Sequence, residues 1–267
     1  MYDSGGSFAV RYGSYALVTG ASEGIGRAFV VELAKKGLDL ILVARREAVL
    51  KQLAEEIQTH HGVQCQVLSA DLAQQEEVER VMAFSARFDV GLVVCNAGFG
   101  TAGNFLDNDL SNEMSMLSVN CEALTRMTHA YGAKFKERGR GAIILLSSII
   151  ATQGVPRSAH YSATKAYVQA LGEALYEEWR GSGVDLLIVA PGPVETGFSK
   201  RSKMQFGLTT TPDVVAIDSI NALGRQRLVH PGWLAKVMSL GLSITPRSIR
   251  VKVMGMVMKE MTKRLPS

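Results

Sequence analysis

A run of glycines directly behind a short β-rich stretch constrains this chain more than any other feature. Tyr15–Thr19 (YALVT) reads as a strand. Thr19-Gly20-Ala21-Ser22-Glu23-Gly24-Ile25-Gly26 then leads into an amphipathic stretch in which Ile25, Phe29 and Leu33 recur every four residues. Glycine lets a backbone turn sharply and lets an anion approach without meeting a Cβ. The helix that follows aims free N–H groups and the positive end of its dipole at the same place. Strand, glycine turn and helix in that order describe a phosphate cradle, whereas glycine alone describes only a tight turn.

The chain keeps alternating after this start. Gly37 is placed to close the first helix in a left-handed conformation. Strands are expected at 38–43, 63–70, 90–96, 141–148 and 184–190. Helices are expected at 47–59, 74–86, 110–137 and 159–180. Continuously apolar strands separated by helices predict a parallel sheet buried on both sides. The expected fold class is therefore α/β, a single-domain doubly wound (Rossmann) parallel sheet with helices on both faces, spanning 1–267. A (β/α)8 barrel shares the alternation but gives no reason for glycines after the first strand. No Pro-rich linker or repeat divides the chain, and its 47% hydrophobic content suits one sizeable core. After Pro191 the pattern loosens. Thr211-Pro212-Asp213 reads as a helix start, 226–232 as a last short strand, and 233–264 as one or two helices.

Charge and cysteine content narrow the functional classes. Cys65, Cys95 and Cys121 have no metal-ligand spacing and read as reduced thiols, with no metal site. The N-terminus lacks the apolar core of a secretory signal, and no run approaches the ~18 apolar residues of a membrane span, so the expected location is cytoplasmic. A net charge of +4 is too small to imply nucleic acid. Its distribution is uneven, because residues 200–267 hold 12 Lys/Arg against 3 Asp/Glu. The segment RSIRVKVMGMVMKEMTKRL is amphipathic if helical, with Lys252, Lys259 and Lys263 on one side. It reads as a packing helix with snorkelling lysines, or as a contact for an anionic membrane surface or acidic partner.

Tyr161 and Lys165, four apart in YSATKAYVQAL, share one helix face a turn apart. A phenol ionises near pH 10, and a neighbouring ammonium favours its phenolate, which would tune Tyr161 as a general acid and base. The second strand ends Val43-Ala44-Arg45-Arg46, with no carboxylate for ribose hydroxyls and two guanidiniums that suit a 2′-phosphate. That favours NADP(H), with Arg45 the first phosphate contact and Arg46 the second.

The spacing TGxxxGIG is followed in order by Asp71-Leu72, Asn96-Ala97-Gly98, Asn120, Ser148, Tyr161, Lys165 and Pro191-Gly192, with Val194 and Thr196 just beyond. Over about residues 14–198 this resembles the classical short-chain dehydrogenases/reductases. The resemblance implies a catalytic set of Asn120, Ser148, Tyr161 and Lys165. Ser148 would bond the substrate oxygen, in preference to Ser147, and Asn120 would hold a water linking Lys165 to a proton relay. It further implies NADP(H) held by Gly20, Ser22, Glu23, Gly24, Ile25 and Gly26, by Arg45 and Arg46, by Asp71 and Leu72 at the adenine, and by Asn96, Ala97 and Gly98. Tyr161, Lys165, Pro191, Gly192, Val194 and Thr196 complete that set. Glu23 departs from some NADP-dependent relatives, which carry a basic residue there.

By the same resemblance the protein would form a homodimer or homotetramer through its long helices. The expected activity is hydride exchange between NADP(H) and a hydrophobic carbonyl or alcohol. A 3-oxoacyl-thioester reductase and a non-catalytic NADP(H)-binding regulatory protein are the alternatives. Residues 198–267 would supply a substrate lid, near 198–210, and the basic helical segment. Phe99, Gln153, Val155, Pro156, Phe198, Met204 and Phe206 would line the substrate pocket, in which no Arg or Lys pair waits for a carboxylate.

Overall fold

The computed structural model describes residues 6–197 and 207–262. Seven parallel strands form one open sheet in the order β3-β2-β1-β4-β5-β6-β7. They are β1 (Tyr15–Thr19), β2 (Asp39–Ala44), β3 (Cys65–Ser69), β4 (Val90–Cys95), β5 (Gly141–Leu146), β6 (Val184–Val189) and β7 (Leu228–Val229). The open order excludes a barrel and establishes the doubly wound Rossmann architecture. The described helices are α1 (Gly6–Tyr12), α2 (Gly24–Lys35), α3 (Glu47–His61), α4 (Gln75–Ser85), α5 (Leu110–Leu117), α6 (Leu124–Glu137) and α7 (Ala159–Glu178). They continue with α8 (Pro212–Ala222), α9 (Gly232–Ile244) and α10 (Arg247–Met261).

The period-two alternation of each strand divides the core between the two faces. Ala16 and Val18 of β1 join Leu40 and Leu42 of β2 on one face, packed against Phe29 and Leu33 of α2, Leu53 of α3 and Val215 of α8. Leu17, Ile41 and Val43 point the other way, into a layer with Val78 of α4, Met127 and Phe135 of α6 and Val168 of α7. Burying one side chain of this size contributes about 1.5–3 kcal/mol. Gly37 ends α2 with φ +75°, the left-handed geometry expected of it.

Two elements differ from the sequence reading. Residues 6–12 fold as α1, whose Tyr12 is buried and donates to Asp185 Oδ2 at 2.8 Å, while Arg11 donates to the same oxygen at 2.7 Å. The acceptor lies 173 residues away, so local pattern gave no sign of it. The long helix at 110–137 is present but carries one π-helical turn, Ser118–Ala123, between α5 and α6. Such insertions are concentrated at functional sites, and this one contains Asn120.

Strand order reverses between β1 and β4, so the loops leaving their carboxyl ends run apart and open a crevice. The C-terminal helices close part of its rim. Met254 and Met258 of α10 pack on Val155, with Ala102, Ile150 and Leu242 around them. Lys252 and Lys259 stay in solvent, as a packing helix with snorkelling lysines requires. The outer stripe of α9, Trp233, Val237, Leu240 and Ile244, is also exposed. No described helix is long and apolar enough to cross a membrane.

Candidate active site

One cleft of about 600 Å³ runs along the carboxyl ends of β1 to β6. At one end stand Gly20, Ser22, Glu23, Gly24 and Ile25 from the β1–α2 turn. Arg45 and Arg46 after β2, and Asp71 and Leu72 after β3, adjoin them. Asn96, Ala97 and Gly98 after β4 form the floor. Ser148, Tyr161 and Lys165 form one wall, and Pro191, Gly192, Val194 and Thr196 after β6 form another. Elements far apart in sequence are gathered here because each strand of a parallel sheet ends on the same edge.

The glycines are required by space. A Cβ on Gly20, which has φ +65°, would lie 2.7 Å from Asn96 Nδ2, and one on Gly24, with φ +55°, would lie 2.9 Å from a Thr196 methyl. Gly26 differs from its expected role. It faces inward instead of lining the cleft, and a Cβ there would overlap the carbonyl oxygen of Gly20, so its absence lets α2 approach the turn.

Thr19 holds the floor together. Its Oγ1 donates to the carbonyl of Val94 at 3.1 Å and accepts from the N–H groups of Asn96 and Ala97, each at 3.0 Å. Asn96 Nδ2 returns a bond to the Thr19 carbonyl at 2.8 Å, fixing the loop. The sequence reading quoted Thr19 in the motif and gave it no role. A threonine ending a strand carries no local sign of the strand it will bridge.

At the arginine end the two guanidiniums differ. Arg46 donates to Glu23 Oε2 at 2.7 Å and to Ser22 Oγ at 3.1 Å. Arg45 is exposed at the cleft and has no ion pair among the described residues. Glu23, the departure noted in the sequence, thus competes for the second arginine.

Lys165 is buried, donates from Nζ to the carbonyl of Leu146 at 2.7 Å, and holds Nζ 5.7 Å from the centroid of the Tyr161 ring. Burial lowers the Lys165 ammonium to about 8, with Cys121 opposing slightly. Burial also pushes the Tyr161 phenol above its ordinary value. The sequence reading expected the ammonium to lower the phenol. In the protein alone desolvation moves both groups toward their neutral forms, since each loses the water that would solvate its charged form.

The two serines differ in their partners. Ser147 is buried, and its hydroxyl donates to the backbone carbonyl of Lys165 at 3.0 Å. Ser148 is half-buried at the cleft and caps a short 3-10 turn, accepting from Ile150 N at 3.4 Å. Asn120 is behind the wall and absent from the cleft lining. Its Oδ1 accepts from Phe99 N at 3.1 Å, and its Nδ2 donates to the Phe99 carbonyl at 2.9 Å and to Thr164 Oγ1 at 3.0 Å. It therefore clamps the β4 loop to α7. Gly98 fits this crowding, for a Cβ there would lie 2.9 Å from Asn120 Oδ1 and 3.7 Å from Lys165 Nζ.

The expected pocket list needs correction. Phe99 lines the cleft. Gln153 is fully buried behind it, Val155 supports α10 from beneath, and Pro156 is exposed against Gly255. Phe198, Met204, Phe206, Lys263 and most of the expected lid lie outside the described residues. The apolar wall comes from α9 and α10 instead, through Met238, Leu242, Val253, Met254, Val257 and Met258, together with Arg250. Met254, Met258 and Met261 at helical spacing were the visible signal. Their destination was not visible.

Residues 14–205 match the short chain dehydrogenase family. The chain belongs to the short-chain dehydrogenase/reductase family. It is an oxidoreductase of that family in sequence and fold. A 7β-hydroxysteroid dehydrogenase from Clostridium sardiniense is 32% identical over 224 residues, 82% of this chain and 86% of that protein. A very-long-chain 3-oxoacyl-CoA reductase from Anas platyrhynchos is also 32% identical, over 93% of this chain and 85% of its own length. Among solved family members, a 7β-hydroxysteroid dehydrogenase superposes with TM-score 0.86 at 28% identity, covering 92% of this chain and 98% of its own. A Sphingobium yanoikuyae family member solved with NADPH gives 0.78 at 26% identity, over 86% and 92%.

Proposed function

We propose that the protein is an NADP(H)-dependent reductase or dehydrogenase of a hydrophobic carbonyl/alcohol pair. The observation that carries this reading is one cleft with a glycine-lined cradle at one end and Ser148, Tyr161 and Lys165 on its wall. The residues fit a dinucleotide. Gly20 and Gly24 line the cleft and leave no room for a side chain against Asn96 and Thr196, the start of α2 lies beside them, and Arg45, without an ion pair among the described residues, offers a bidentate partner for a 2′-phosphate. When bound, the nicotinamide supplies the hydride chemistry.

The chain's own groups do the rest. Ser148 Oγ donates to the substrate oxygen and fixes its position. The Tyr161 hydroxyl gives that oxygen a proton in reduction and takes it back in oxidation. Lys165 Nζ holds a positive charge behind the phenol and offers N–H donors to ribose hydroxyls, while Asn120 keeps the wall and floor in register. The methionine-rich wall excludes water and favours an apolar substrate body.

The related 7β-hydroxysteroid dehydrogenases support a bulky alicyclic substrate. A second reading, reduction of a 3-oxoacyl thioester, is supported by the equal identity of the duck 3-oxoacyl-CoA reductase. NADPH oxidation across oxosteroids, bulky ketones and 3-oxoacyl thioesters, with NADH and Tyr161→Phe as controls, tests both. Turnover that Tyr161→Phe abolishes is expected. NADPH binding without turnover of any member would overturn the enzymatic reading, and NADH equal to NADPH would overturn the cofactor assignment.

A further inference from the structure

Arg250 is the one cation that α9 and α10 contribute to the cleft among the described residues. Around it the lining is Met238, Leu242, Val253, Met254 and Val257. Its Nε is shut off from solvent and has no hydrogen-bond partner among the described residues. A guanidinium keeps its charge at any working pH, and a buried cationic N–H without an acceptor is costly. Leucine or methionine would fill this wall without that cost. The cleft's acidic residues do not answer the charge, because Glu23 is paired with Arg46 and Asp71 follows β3 beside the glycine turn. The helix carrying Arg250 packs on Val155 and Ile150, in the segment that follows Ser148.

We propose that Arg250 is an anion subsite within the substrate half of the cleft, and that the substrate is an apolar ketone or alcohol with a carboxylate remote from the reacting carbon. This rests on the hydride-transfer reading above. A carboxylate accepts side by side from the two Nη–H donors of the fork, which answers the charge that the apolar wall leaves uncompensated. A single guanidinium in an apolar wall matches one negative charge. The several charges of a phosphorylated thioester carrier would need more cations than α9 and α10 contribute among the described residues.

The test compares an oxosteroid carboxylic acid and a long-chain oxo acid, each with its methyl ester, using NADPH and the wild-type, Arg250→Gln and Arg250→Lys proteins. The quantity read is the ratio of kcat/KM for acid over ester within each protein, alongside the Kd for NADPH. The wild type should favour the acid about tenfold or more, mainly through KM. The ratio should fall toward one in Arg250→Gln and recover in part in Arg250→Lys. A wild-type ratio near one would overturn the proposal. So would an Arg250→Gln protein that keeps the ratio or whose NADPH Kd rises as much as the KM of the acid, since the guanidinium would then serve the dinucleotide. If the wild type turns over neither compound, the hydride-transfer reading fails separately. Calorimetry then decides the subsite, with acid bound more tightly than ester only in the wild type supporting it and equal binding overturning it.

Discussion

The ammonium of Lys165 stands 5.7 Å from the centroid of the Tyr161 ring and is too deep to be solvated. Spacing of four along α7 creates the pair. The sheet beneath it creates the burial, since the same ammonium is held against the carbonyl that ends β5. Replacing Tyr161 by Phe leaves that arrangement in place and removes only the proton-transferring oxygen. Turnover should fall by about 10²–10⁴-fold, while NADPH binding, read by fluorescence titration, stays within a factor of a few.

Burial of Lys165 costs stability whenever its amine is charged. Its folded value of about 8 lies below that of an unfolded lysine, so the unfolded chain binds the extra proton between these values and stability rises with pH there. The contribution is most unfavourable below pH 8 and vanishes above the unfolded value. Thermal unfolding of Lys165→Met should therefore show its largest gain over the wild type near pH 7, and the gain should shrink toward pH 9.5. A difference constant across that range would contradict the assignment.

The Glu23–Arg46 ion pair, at 2.7 Å, occupies one of the two guanidiniums that follow β2. Glu23→Ala should release Arg46 and improve NADPH over NADH by severalfold in kcat/KM. Arg45→Ala should raise the NADPH KM by about tenfold or more and leave NADH nearly unaffected, as expected for loss of a charge-assisted phosphate contact.

Gly26→Ala is a helix-favouring change that should nevertheless destabilise. The added methyl would overlap the carbonyl oxygen of Gly20 and lie 2.6 Å from Asn96 Nδ2. We expect a loss of about 1–3 kcal/mol from overpacking, read as a lowered denaturation midpoint, together with weakened NADPH binding.

Glu113 is buried at 1% exposure and accepts from Asn108 Nδ2 at 2.8 Å, with His160 Nδ1 at 2.7 Å from its other oxygen. Glu113→Ala strips both polar groups of their acceptor beside the helix that carries Tyr161. It should cost about 2–4 kcal/mol in urea unfolding, whereas Glu113→Gln should restore part of the loss.

Much of the site was legible because its signals are local. The glycine turn follows one strand and opens one helix, Tyr161 and Lys165 share one helix face, and Arg45 directly follows β2. Ser148 could be preferred to Ser147 only by spacing in the sequence, whereas in the fold the Ser147 hydroxyl is bound to the Lys165 carbonyl. Asn120 was picked out by motif, whereas only the fold shows its amide bonded to Phe99 and Thr164, partners 21 and 44 residues away.

The sequence by itself determined the alternation of strand and helix, and with it a parallel sheet whose loops meet along one edge, because apolar periodicity and glycine turns act between near neighbours. Tertiary structure decided the rest. It paired Glu23 with Arg46, made Thr19 the tie between β1 and β4, buried Tyr161 and Lys165 so that desolvation governs both, and laid α9 and α10 along the cleft so that Arg250 entered an apolar wall. Each of these depends on which distant groups share a volume from which water is excluded. That is a property of the packed chain, and no local stretch of it carries the information.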